Sequence, residues 1–294
     1  MHPAPSLILF TVLSGIGFGL LVWLGLGLRA PTGLAAFILF GLGYGLSGAG
    51  LIAAAFHLGH PERALKAFTQ WRSSWLSREA VLATATLGVM APHAASSAFA
   101  ATPLPVFGWI GAALALATIL ATAMIYTQIK AVPRWADWST PLVFLLAALA
   151  GGAVIAAQST LGAWLMPGLG LAMALHWYRG DRQFGASGST LGSATGLGGL
   201  GTVRLLEPPH SGQNYLLREM VHVIGRKHAR KLRAIALGAG AVLPALLLLL
   251  PIGYVTVLLA LIAHLGGMFA QRWLFFAEAE HVVGLYYGQR ERAA

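Results

Sequence analysis

The chain of 294 residues contains no cysteine. Its own residues therefore cannot form a thiolate-held iron–sulfur cluster, a c-type haem attachment or a disulfide. Charge is scarce as well: Asp, Glu, Lys and Arg make up 10% of the residues, where a soluble domain carries about 25%. Acidic residues are the scarcest, nine against 19 Lys and Arg. So few charges cannot coat a water-facing surface, and 57% of the residues are hydrophobic. The chain reads as an all-α polytopic membrane protein. A net charge of +10 would suggest nucleic acid in a soluble protein. In a membrane protein it has a topological cause, and no nucleic-acid partner is expected. The opening "MHPAPSLILFTVLSGIGFGLLVWLGLGL" lacks a basic n-region and a small-x-small cleavage site, so it is expected to be a retained helix.

What the chain does have is apolar runs of bilayer-spanning length, which needs about 20 residues each. They predict eight helices, at 6–28, 33–57, 77–98, 105–127, 139–157, 160–177, 234–250 and 253–277. The last two are divided by "PIG", where Pro251 and Gly253 break what would otherwise be one over-long helix. With eight spans both termini share a side. That side then holds 18 of the 19 Lys and Arg, leaving only Arg29 opposite. The positive-inside rule makes it the cytoplasmic side. Residues 1–294 form a single membrane domain, with one long cytoplasmic loop, 178–233, inserted between the sixth and seventh helices. "GLGGLG" at 196–201 in that loop matches a dinucleotide fingerprint, but without a preceding strand it reads as linker. "NYLLREMVHVIGRKHARKLR" reads as an amphipathic basic helix against lipid or a partner.

Between the second and third helices lies "FHLGHPERALKAFTQWRSSWLSRE". Ionisable side chains at a membrane boundary are costly unless paired or wet, which makes them functional candidates. His57 closes one helix and Glu79 opens the next, so both are expected at the cytoplasmic interface. A quinone head group there needs a hydrogen-bond donor, a proton relay and an apolar slot for its tail. Imidazole and a partly buried carboxylate supply the first two. His57 and Glu79 are therefore the leading candidates for quinone binding and proton transfer. Trp71, Trp75, Arg63, Ser77, Arg78 and Arg272 form a second rank. For these, interfacial anchoring, topological charge, helix capping by Ser77 and snorkelling by Arg272 are the simpler explanations. A haem b held by His57 and His176 is a weaker alternative, and no other metal site is expected. A transporter is disfavoured because acidic residues are absent from every predicted helix interior.

"FHLGHPERA", "SSWLSRE" and "VPRWADWSTP" (132–141), taken together, resemble the membrane anchor subunits of the DMSO reductase family. The long loop at 178–233 departs from that family's short connection and, with the cytoplasmic orientation, resembles the sulfite-oxidising branch. The resemblance implies a quinone site at His57 and Glu79 and an anchor without haem. It also implies two partners, a four-cluster iron–sulfur subunit docked on the cytoplasmic face and a molybdenum-cofactor catalytic subunit. Electrons would pass from sulfite to ubiquinone or menaquinone; an anchor of an S- or N-oxide reductase, running them the other way, is the alternative.

Overall fold

The computed structural model describes residues 2–28, 30–58, 60–207, 212, 214–216, 220, 228–251 and 253–287. Arg29, Arg290 and Arg292 of the charge count, and most of the expected amphipathic helix before Ala229, lie outside them. Among the described residues every regular element is helical. Long helices stand at all eight expected positions: α1 (Pro5–Gly25), α2 (Gly33–Ala55), α3 (Trp75–Ala95), α4 (Pro105–Thr127), α5 (Ser139–Ile155), α6 (Ser159–Ala186), α7 (Ala229–Leu249) and α8 (Tyr254–Ala277). Five of these, α1, α2, α4, α7 and α8, are long and apolar enough to cross a membrane. α5 is apolar but has only 17 residues.

α1 is hydrophobic on all sides, which suits a helix surrounded by others. Of its most apolar stretch 78% is buried, against 28% for α2, so α1 is the axis of the bundle. It packs on α2, α4 and α5. Small residues set the spacing. Where α1 crosses α5, a Cβ on Gly152 would run into the backbone of Gly19 and Leu20. The crossing is possible only because no side chain intervenes. Gly152→Leu is expected to destabilise the bundle by about 3 kcal/mol, the upper end for overpacking. A thermal unfolding scan in detergent checks this as a lowered midpoint. Polar cross-links add to the packing. The Trp23 indole N–H donates to the Leu149 carbonyl (2.8 Å) and the Tyr44 hydroxyl to the Leu87 carbonyl (2.6 Å).

α7 contains a π-turn at Gly238–Val242. The wide turn disturbs the carbonyl ladder, and the Gly240 carbonyl takes a hydrogen bond from His264 Nδ1 at 2.7 Å. His264, which has no partner legible in the sequence, is thus a fully buried bridge between α7 and α8. Gly267 lies against Gly240 and lets the two helices approach.

Candidate functional site

Glu79 sits in the second turn of α3 with 3% of its surface exposed. Its partner is Thr122 on α4, whose hydroxyl donates to Glu79 Oε1. No cation pairs with it among the described residues. Beyond Thr122 the same region continues to α8. Tyr126, one turn further along α4, lies within electrostatic reach of both Glu79 and Arg272. Arg272 is 3% exposed, its guanidinium carbon 3.6 Å from the Phe144 ring centre on α5. Its Nη1 has no hydrogen-bond partner. Arg272 therefore does not snorkel to the interface; it points into the bundle. A small cavity lies there, lined by Thr11, Ser14, Thr122, Phe144 and Arg272 among others. The structure thus brings Glu79 and Arg272 to one polar region, through Thr122 and Tyr126, which sequence reasoning did not single out.

The loop before α3 is built differently from expectation in one respect. α3 starts at Trp75, so Ser74 and not Ser77 holds the N-cap position, and Ser77 is buried in the first turn. The cause is Arg78. Its Nε donates to the Trp71 carbonyl (3.0 Å), its Nη2 to the Arg72 carbonyl (2.7 Å), and it lies 4.3 Å over the Trp75 ring. These contacts draw the incoming chain onto the helix earlier. Upstream, Pro61–Phe68 forms a 3-10 helix with Pro61 at its start and Glu62 in its first turn, as Pro and acid preferences at helix starts require. Glu62 takes His60 at 2.9 Å and Arg63 at 4.0 Å. His57 is exposed just past the end of α2, 3.4 Å from the Ser6 hydroxyl of α1. No hydrogen bond or ion pair joins His57 to Glu79 among the described residues. Phe56, next to it in the chain, and Leu65 and Trp71 in the segment that follows are exposed, at 79%, 78% and 54%. An apolar rim beside ionisable groups suits the membrane interface.

The stretch "VPRWADWSTP" proves to be a structural knot. Trp135 is buried, stacks on Phe275 (5.2 Å) and donates to its carbonyl at 2.9 Å, satisfying one of the open carbonyls at the end of α8. Asp137 accepts from the Ser139 backbone N–H at the start of α5 (3.0 Å) and pairs with Arg179 (2.7 Å). Burial pushes the Asp137 carboxyl up, but the hydrogen bonds from Arg179 and Ser139 outweigh it and hold it at about 2. Arg134 and Arg233 share Asp181 (2.5 and 2.6 Å) and Glu278 (3.4 and 2.7 Å). Burial likewise acts upward on Asp181, and the two guanidinium groups bring it to about 2. These pairs explain why α6 runs on to Ala186, past the expected end at 177. Arg179 and Asp181 are held in the helix by tertiary partners.

His176 is buried on α6, its Nδ1 2.8 Å from the Ser139 hydroxyl and its ring stacked on Phe275. α6 packs chiefly on α5 and α7, and α2 on α1. His176 on α6 and His57, just past the end of α2, thus belong to helices with different neighbours. The described residues contain no group of three or more His, Cys, Asp or Glu placed to hold a metal ion.

A helical bundle with several bilayer-length apolar helices is a multi-pass membrane protein, and most of its described charged groups lie at helix ends and in loops. The sequence matches the DMSO reductase anchor subunit (DmsC) family over residues 1–173, and the chain belongs to that family. It is also 30% identical to the C subunit of the sulfite dehydrogenase of Allochromatium vinosum, over 98% of this chain and 99% of that protein. No solved structure matches the chain.

Proposed function

We propose that this chain is the quinone-reactive anchor of a molybdenum and iron–sulfur oxidoreductase that oxidises sulfite at the cytoplasmic face of a bacterial inner membrane. In this reading all eight long helices span the bilayer, both termini and the 178–233 loop face the cytoplasm, and the iron–sulfur subunit docks on that face, carrying the molybdenum subunit with it. The observation that carries the site is Glu79, a buried carboxylate at the lip of a helix whose hydrogen-bond partner is a neutral hydroxyl. A carboxylate kept from a cation is free to take up and release protons. The likeness to a sulfite dehydrogenase subunit along nearly the whole chain supports the choice of donor.

The chemistry balances without a redox group on this chain. Sulfite and water give sulfate, two protons and two electrons on the partner subunits. The electrons pass from the partner's nearest cluster to a quinone, ubiquinone or menaquinone, which takes two protons and becomes quinol. Here His57 donates a hydrogen bond to a quinone oxygen, the rim of Phe56, Leu65 and Trp71 admits the ring and tail, and Glu79 exchanges protons between the loop and the quinone. His57→Ala is expected to raise the KM for a quinone analogue roughly ten-fold, the loss of about one hydrogen bond. Steady-state titration of the purified complex reads it. The match to a DMSO reductase anchor family keeps a second reading in view, in which the same site oxidises quinol. A photoreactive quinone tests the binding site in either direction. Label on the peptide spanning residues 56–79 is expected; label confined to the partner subunits would overturn the assignment.

A further inference from the structure

The cavity beside Arg272 has about 20 Å³ of water-accessible space. A polar cavity above roughly 10–15 Å³ holds a water if two or more polar groups face it. The lining is mainly apolar, and its polar members are Arg272 from α8, Thr122 from α4 and Thr11 and Ser14 from α1, whose hydroxyls have lone pairs to offer a water. It is too small for a quinone ring. Arg272 itself is buried, has Nη1 unsatisfied, and pairs with no carboxylate among the described residues. An orphaned donor on a buried cation that faces a water-sized hole calls for an oxygen acceptor.

We propose that this cavity is a hydrated site capped by Arg272, and that the fixed charge of Arg272 stops protons delivered to Glu79 from travelling further across the membrane. Thr122 joins the two parts, since its hydroxyl bonds Glu79 and the residue also lines the cavity. Polar groups continue inward from there. Thr11 and Ser14 line the wall, and His264 lies two turns deeper on α8. Ile16 borders the cavity and also flanks His264, because Gly151 lies against both. Thr11 and Ser14 donate to carbonyls of their own helix and His264 to the Gly240 carbonyl, so water in the cavity is what would join these groups into a proton path. A guanidinium stays protonated in proteins and opposes any second positive charge. At about 4 Å and an effective dielectric near 20, a like charge disfavours an excess proton on the order of a thousand-fold. Pore-lining arginines exclude protons on the same principle. Quinone protonation is thereby confined to the side from which Glu79 is reached. The inference extends the quinone reading, but its test requires no turnover, so the two can fail separately.

The test uses the intact complex in liposomes holding a pH-sensitive dye, with a potassium diffusion potential imposed by valinomycin. The wild-type complex is expected to hold the proton gradient. Arg272→Met and Arg272→Gln are expected to admit protons at least ten-fold faster while retaining an entrapped fluorophore. Arg272→Lys is expected to remain tight. Either neutral variant as proton-tight as wild type would overturn the proposal. So would neutral variants that release protons and fluorophore alike, since the cation would then serve only packing.

Discussion

Glu79→Gln in the assembled complex is expected to lower quinone-coupled turnover at least about 100-fold, the minimum typical of removing a positioned acid–base group. The amide fills the same space and still accepts the Thr122 hydrogen bond, so the bundle should fold unchanged. What is lost is the capacity to exchange a proton. In the proposed function, electron transfer within the partner subunits does not use this carboxylate. Sulfite oxidation with an artificial acceptor that drains the iron–sulfur subunit directly should therefore continue at the wild-type rate. The contrast between the two acceptors is the measurement. Full quinone activity in the variant would remove Glu79 from the mechanism. Equal loss with both acceptors would show that the substitution had damaged assembly instead.

Glu278→Ala is expected to be the most destabilising single change among the charged residues. Glu278 is buried, and its carboxylate meets Arg134 and Arg233, themselves largely buried. Removing it leaves two guanidinium groups with only the half-exposed Asp181 between them. Breaking a buried pair by deleting one partner costs on the order of 3 kcal/mol, because the remaining charge stays desolvated. The four residues come from the loop before α5, the ends of α6 and α8 and the start of α7, so the loss should loosen one whole end of the bundle. Thermal unfolding should show it, and the stretch at 178–186 should become protease-sensitive. The same cluster sets an acid limit. Asp137 and Asp181 both lie near 2 in the folded chain, below the unfolded value of about 3.9. The stability they contribute is complete above pH ~4 and falls away as the pH drops toward ~2. Asp181 contributes the smaller share because water screens it.

The apolar runs made the helices legible, and α4 occupies the very residues expected, 105–127. Helix ends defined by side-chain partners were not. α6 overruns its apolar run because Arg179 and Asp181 find acids and arginines on other elements. α3 starts early because Arg78 folds back on the Trp71 and Arg72 carbonyls. π-turns leave no periodic signal, so the Gly240 carbonyl that receives His264 could not be anticipated. At the site, Glu79 was legible as a carboxylate at the lip of an apolar run. Thr122 was not, since one hydroxyl in "ALATILATAMIYT" has nothing to distinguish it. Arg272 gave a signal, a guanidinium inside the last two turns of an apolar helix, but its inward direction depends on α5 and α1. The ion-pair cluster could have been found. "PRWAD", "YRGDR" and "AEAEH" each place charges at a predicted cytoplasmic helix end, and opposite signs brought to one depth in a low-charge chain have reason to meet.

This anchor is proposed to pass electrons from sulfite into the quinone pool. The complex, purified with its partner subunits, is to be given sulfite and a soluble quinone analogue, and in parallel a quinol with DMSO. Sulfite-dependent quinone reduction, without quinol-dependent DMSO reduction, is the predicted result. DMSO reduction without any sulfite activity would contradict it, reverse the direction assigned to the site and require the cytoplasmic orientation to be redrawn.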